Sequence, residues 1–141
     1  MADPLPTSFH LTIVTRERKI VETDAVEIVL PARDGEIGVL PGHTPLLASL
    51  RIGIVRYRET EGANPQSLVI SWGFAEILPE RVIVMAETAR LPQEMDLTTA
   101  EAERTKLERE LADLSSHDPQ FVHVEARLEE SVAMINVHRG M

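Results

Sequence analysis

Cysteine is absent from the 141 residues, which excludes a disulfide framework and thiol chemistry. Basic charge is in deficit: 14 Lys and Arg against 23 Asp and Glu give a formal net charge of −9. That balance disfavours nucleic acid, whose phosphates are held by Lys and Arg with release of counterions. It disfavours adsorption on anionic lipid for the same electrostatic reason. No apolar run approaches the roughly 20 residues needed to span a bilayer. The first six residues lack the basic-then-apolar order of a secretory signal. The expectation is a soluble protein that stays where it is made and reaches a membrane only through a partner, without inserting directly.

Catalytic constellations are equally missing. His10, His43, His117, His123 and His138 are scattered, and none forms the i, i+4 pair with a carboxylate that a helical zinc site uses. Ser49, Ser67 and Ser71 lie in no Gly-x-Ser-x-Gly elbow. Gly35-Glu36-Ile37-Gly38 lacks the Lys-Ser/Thr of a phosphate loop. Glu27 and Glu36 could be neighbours on a sheet, but solvated faces explain them as well. An independent enzyme has little support, and the sequence calls for no metal or cofactor.

What is present is a strand pattern. Hydrophobic content is 43%, ordinary for one domain or one domain plus an appendage. Residues 1–7 read as a frayed lead. Strand runs are expected at residues 9–14, 19–22, 25–30 (ending at Pro31), 36–40, 45–50, 53–58, 67–72, 74–78 and 81–86. Asp34-Gly35 is a tight-turn signal, and residues 61–66 form a polar hairpin tip. In the sixth run Val55 and Tyr57 face one way, and Ile54, Arg56 and Arg58 the other. Gly73, alone between two apolar runs, predicts a bulge or a close backbone approach. Eight or nine short strands at this spacing describe a sandwich or barrel. At its middle lies Gly35-Glu36-Ile37-Gly38-Val39-Leu40-Pro41-Gly42-His43-Thr44-Pro45-Leu46-Leu47. Its glycines permit positive φ and its prolines stiffen the corner at Pro41-Gly42-His43. This is a shaped contact surface without reactive groups, and His43 reads as a packing or interface residue.

After Pro92 the composition turns to Ala, Glu, Leu and Arg. Asp96 or Thr98 can cap a first helix, and Thr98-Thr99-Ala100-Glu101 fits a capping box. Its stripe is Leu97, Ala100, Leu107, Leu111 and Leu114, with Arg104 as a flaw. Ser115-Ser116-His117-Asp118-Pro119 breaks it, with Asp118 and Pro119 starting a second helix. That helix has the stripe Phe121, Val124 or Glu125, Leu128, Val132 and Ile135. Each stripe offers about five side chains worth roughly 1.5–3 kcal/mol when buried. Ordering some forty residues costs on the order of 1.5 kcal/mol each. The hairpin therefore cannot stand alone, and an element with a marginal dock can exchange docks. The fold class expected is an N-terminal antiparallel β-sandwich (1–90) followed by a C-terminal two-helix antiparallel hairpin (91–141).

The central stretch resembles the signature of the epsilon subunit of F-type ATP synthases. The resemblance extends through Leu11-Thr12-Ile13-Val14-Thr15-Arg16-Glu17-Arg18, Gly73-Phe74-Ala75-Glu76-Ile77 and Val82-Ile83-Val84-Met85-Ala86-Glu87-Thr88-Ala89. It implies a non-catalytic subunit of the central rotor stalk that binds the gamma subunit and the c-ring and couples proton flow to ATP synthesis. It places Asp34, Gly35 and Glu36 on the c-ring loop, with Glu36 at the contact. It places Pro41, Gly42 and His43 near c-ring and gamma, and makes the face around Gly73 and Phe74 a further candidate. The hairpin (91–141) is implied to be a mobile regulatory brake reaching toward alpha and beta. The location implied is the cytoplasmic face of a bacterial plasma (inner) membrane. In some members the hairpin binds ATP through Ile/Leu-Asp-x-x-Arg-Ala. Here Asp96 and Ala100 remain, but Thr99 replaces the arginine, and His123, Glu130 and Met134 stand at basic positions of the second helix. A polyphosphate needs cationic donors, so ATP affinity is expected to be weaker than about 1 mM. The acidic hairpin also meets an acidic segment of beta, so weak inhibition is expected. Deleting residues 92–141 should change ATP hydrolysis by less than several-fold. A nucleotide-sensing module is the alternative.

Overall fold

The computed structural model describes residues 4–140; residues 1–3, in the lead expected to fray, and residue 141 lie outside the described residues. Eight strands come first: β1 (Phe9–Val14), β2 (Lys19–Ala25), β3 (Glu27–Ala32), β4 (Gly35–Val39), β5 (Leu46–Leu50), β6 (Gly53–Arg58), β7 (Gln66–Leu78) and β8 (Arg81–Arg90). A 3-10 turn (Pro92–Glu94) leads to α1 (Leu97–Asp113) and α2 (Gln120–His138). The strand order is β2-β1-β8-β7-β5-β3-β4, with β6 bridging β3 and β7. That arrangement folds one sheet into the two layers of a sandwich. Pairing is antiparallel except between β1 and β8, which run parallel from His10↔Arg81 to Val14↔Met85. Alternation puts Leu11, Ile13, Ile28, Leu30, Val82 and Val84 wholly inside. Val55 and Tyr57 are buried as their alternation predicts, while Ile54, Arg56 and Arg58 stay half-buried on the other face.

Pro31 does not end its strand. β3 runs through it to Ala32, because the Pro31 carbonyl accepts from Arg51 N at 2.9 Å while the ladder position needs no donor from it. Glu27 and Glu36 are not brought together. Glu27 lies opposite Arg58 on β6, 3.5 Å from its Nε, whereas Glu36 lies opposite Pro31.

β7 belongs to both layers. Its first half pairs with β6 (Gly53↔Ile70) and its second with β5 (Leu50↔Gly73), while β8 accompanies it along both. Leu68 and Ile70 are buried before the change of layer, Ala75 and Ile77 after it, so the inward parity switches between them. The switch sits at Trp72 (φ 49°) and Gly73 (φ 137°). The β7–β8 register does not slip there: Ser71↔Thr88 and Gly73↔Ala86 stay in phase. Of the two readings of Gly73, close approach is the one realised. A Cβ on it would lie 2.0 Å from the Met85 carbonyl oxygen.

Of the two capping options Asp96 is used, its Oδ1 accepting from Thr99 N at 2.6 Å. Glu101 instead pairs with Arg139 near the end of α2. Asp118 Oδ1 accepts from Gln120 N at 2.8 Å, and Pro119 already has helical angles. Ala100 and Leu107 of the α1 stripe are fully buried. The α2 stripe comes out differently. Val124 and Ile135 are buried, but Val132 remains 39% exposed, and Ser131, Ala133 and Met134 are buried instead. The reason is that α2 is shared between α1 and the sheet. Val69 of β7, Ala100, Ala133, Met134 and Ile135 form one apolar cluster, joined by Ile54 of β6. Ser71 Oγ donates to Glu130 and accepts from Thr88 Oγ1 at 2.7 Å, and His138 meets the Met95 carbonyl. The hairpin thus lies folded down on the sandwich through α2.

Arg104 is the flaw the stripe suggested. Its Nε is buried without a hydrogen-bond partner, 3.6 Å from Glu108. An unsatisfied buried donor costs on the order of 1–3 kcal/mol. Arg104→Met, similar in reach, is expected to stabilise the fold by about 1 kcal/mol in urea unfolding followed by circular dichroism. A loss of stability would show that the charge matters more than the orphaned donor.

Candidate functional site

The sequence-predicted contact residues separate into two places. Asp34 lies in the β3–β4 turn and Gly35 and Glu36 open β4, with Asp34 and Glu36 exposed. Pro41, Gly42 and His43 make the corner after β4. Ile37, Gly38 and Val39 of β4, with Leu40, keep these sets apart, and β4 alone runs about 13 Å from end to end at ordinary strand rise. The corner is fixed from three sides. Gly42 N donates to the Pro79 carbonyl at 2.8 Å, His43 N to the Leu40 carbonyl at 3.2 Å, and Leu5 Cδ2 lies 3.2 Å from where a Gly42 Cβ would be. The His43 ring is held by its own neighbour, Nδ1 donating to the Thr44 carbonyl at 2.6 Å. Leu40, Leu46 and Leu47 are exposed around it.

The layer change in β7 creates a third place. Trp72 and Phe74 share the outer face there, 45% and 52% exposed, beside Met85 of β8. They floor a groove of about 690 Å³ that also includes Val14, Leu50 and Ala86, with Arg16, Arg33 and Glu87 along it. Trp72 is the one non-glycine residue with positive φ among the described residues. That backbone costs roughly 1–2 kcal/mol for a residue with a Cβ. Strain of this kind persists where surroundings impose it and clusters at functional surfaces. The sequence pointed to Gly73 and Phe74 but missed Trp72, Met85 and the arginines. Two aromatics at i and i+2 around a strand glycine was the available signal.

Asp96 and Ala100 are engaged structurally. The Thr99 backbone hydrogen bond, followed by its side-chain one, holds the Asp96 carboxyl below its ordinary range. The contribution of the charged cap is therefore full at neutral pH, above the ordinary carboxylate range, and is lost as pH falls from that range through the lowered folded value. Circular dichroism during acid titration is expected to show Asp96→Asn, which keeps the acceptor, with a flatter loss of helix than the wild type. Ala100 has no exposed surface. His123 is exposed, Glu130 is bonded to Ser71, and Met134 is buried against the sheet. The hairpin's polar and apolar groups are thus used for docking, not gathered around an anion. Among the described residues no helix is long and apolar enough to cross a membrane.

Known proteins share this fold. The family described as "ATP synthase, Delta/Epsilon chain, beta-sandwich domain" matches residues 8–92. ATP synthase epsilon chain 2 of Syntrophotalea carbinolica is 35% identical over 127 residues, covering 90% of this chain and 91% of that protein. The epsilon chain of Desulfitobacterium hafniense strain Y51 is 34% identical over 133 residues, covering 94% and 98%. A chain in the cryo-EM structure of the Euglena gracilis mitochondrial ATP synthase, OSCP/F1/c-ring in rotational state 1, superposes with a TM-score of 0.81. It is 24% identical, and the match covers 96% of this chain and 84% of that one.

Proposed function

The chain belongs to the family of ATP synthase epsilon chains, and from that premise we propose that it is a non-catalytic subunit of the rotary central stalk. In this reading residues 1–90 couple the c-ring to the gamma subunit, and residues 91–141 are a regulatory hairpin able to leave the sandwich. The observation that carries the proposal is the groove at the layer change, where half-exposed Trp72, Phe74 and Met85 surround a strained backbone. An apolar surface of that kind calls for a protein partner, and gamma is the partner proposed for it. The β3–β4 turn with Asp34, Gly35 and Glu36 is proposed to meet the c-ring. Arg33 adjoins both turn and groove, so the two contacts would be continuous. Pro41, Gly42 and His43, at the other end of β4, would form a separate contact with the same rotor. The complex would hold the chain peripherally on the cytoplasmic face of a bacterial inner membrane.

Affinity purification of the tagged chain from detergent-solubilised membranes tests this. Gamma and c-ring subunits are expected to co-purify in stoichiometric amounts, and their absence would overturn the proposal. The nucleotide-sensor alternative is opposed by Asp96 acting as a helix cap and Ala100 being buried. Calorimetric titration of the full chain with ATP is expected to show no binding below about 1 mM. Micromolar affinity would restore the alternative.

A further inference from the structure

We propose that the groove is a clamp for a carboxylate-bearing partner segment: Arg16 and Arg33 grip acidic groups on either side of an apolar insert. This rests on the rotor reading above and adds the chemistry of the segment that gamma must offer.

Placement comes first. In the order β1-β8-β7-β5-β3, Arg16 lies just beyond β1 and Arg33 just beyond β3. Between them lie Met85 on β8 and Trp72 and Phe74 on β7, so the two arginines stand on opposite sides of the apolar floor. Charge comes second. The chain carries a net −9, yet this groove has two arginines against the single carboxylate of Glu87. Use of the arginines elsewhere comes third. Arg18, Arg58, Arg104, Arg127 and Arg139 each lie within ion-pair distance of a glutamate, and Arg81 and Arg109, which do not, lie outside this groove. Arg16 and Arg33 are exposed, and neither guanidinium has a hydrogen-bond or ion-pair partner among the described residues.

A planar guanidinium at the edge of an apolar surface is suited to bidentate carboxylate recognition. A small phosphate ion would leave the Trp72–Phe74–Met85 floor unused. A second copy of this chain meeting it groove to groove would offer only Glu87 to two arginines. An apolar protein segment flanked by acidic residues uses both the floor and the rim. Charges placed this way act chiefly on the rate and selectivity of association and weaken with salt.

The test is a biosensor titration of the full chain against the alpha–beta–gamma assembly lacking it, at low and high salt. Wild type is expected to bind and to weaken as salt rises. The Arg16→Gln/Arg33→Gln variant is expected to bind about tenfold more weakly at low salt, mainly through slower association. At high salt the two should converge. Arg109→Gln, an exposed arginine on α1, serves as the control and should match wild type. Circular dichroism confirms that the variants fold. If the double variant binds like wild type at every salt concentration, the clamp is overturned while the rotor reading stands. If wild type does not bind the assembly, both fall. If the arginines instead govern binding to phosphatidylglycerol vesicles or self-association in sedimentation, the proposed occupant is wrong.

Discussion

Gly73→Ala is expected to abolish cooperative folding of the sandwich or leave it only marginally stable. Two separate penalties coincide at this residue. Its φ of 137° is a conformation that L residues rarely adopt. Its missing Cβ would also fall 2.0 Å from the Met85 carbonyl oxygen and 2.9 Å from Ala86 Cα. Backbone atoms of a paired strand cannot swing away as a side chain does, and β7 and β8 are paired on both sides of this point. Backbone strain alone is worth roughly 1–3 kcal/mol. With the overlap added, the loss should exceed about 4 kcal/mol, the range reserved for disrupted cores. A domain holds only about 5–15 kcal/mol in total. Gly62→Ala separates the two contributions. Gly62 also has positive φ, at 75°, but nothing lies within 4 Å of its would-be Cβ. It should cost about 1 kcal/mol in urea unfolding. Equal effects at the two positions would show that steric overlap is not what makes Gly73 necessary.

Trp72→Gly is expected to weaken binding far more than it lowers stability. Relief of the positive φ at Trp72 returns roughly 1–2 kcal/mol. The backbone freedom gained by glycine in the unfolded chain costs about 0.5–1 kcal/mol. The indole is 45% exposed, so the half of it that is buried, worth about 1–2 kcal/mol, is forfeited as well. The unfolding midpoint should therefore stay nearly level or fall slightly. Binding to the alpha–beta–gamma assembly should instead weaken by at least about 30-fold, the effect of losing a central aromatic worth roughly 2 kcal/mol. Phe74→Ala, with normal backbone, should weaken binding similarly and cost about 1 kcal/mol of stability from its lost half-burial. Paired measurement by calorimetry and urea unfolding checks both. A large fall in stability with intact binding for Trp72→Gly would mean that the strain serves the fold alone.

Residues acting through local rules were legible in the chain. Val55 and Tyr57 alternate inward because a strand alternates whatever surrounds it. Asp96 and Asp118 cap helices because the orphan amides are their own near neighbours. The Asp34-Gly35 turn and the break after Pro92 are equally local. The stretch from Gly35 to Leu47 carried enough such constraints to suggest the family. Pro31 and the α2 stripe show where local rules stop. Pro31 stays in its strand because the donor on its carbonyl comes from Arg51, and α2 buries Met134 and not Val132 because the sheet competes with α1 for its surface.

By itself, then, the sequence determined the sandwich-then-hairpin order, the turns and the caps, since each follows from chemistry within a few residues. Only the tertiary structure decided that the hairpin lies on β6 and β7, that Asp34–Glu36 and Pro41–His43 sit at opposite ends of β4, and that Arg16 and Arg33 face each other across Trp72 and Phe74. These depend on which strands become neighbours, and neighbours brought together from distant positions leave no spacing in the chain to read.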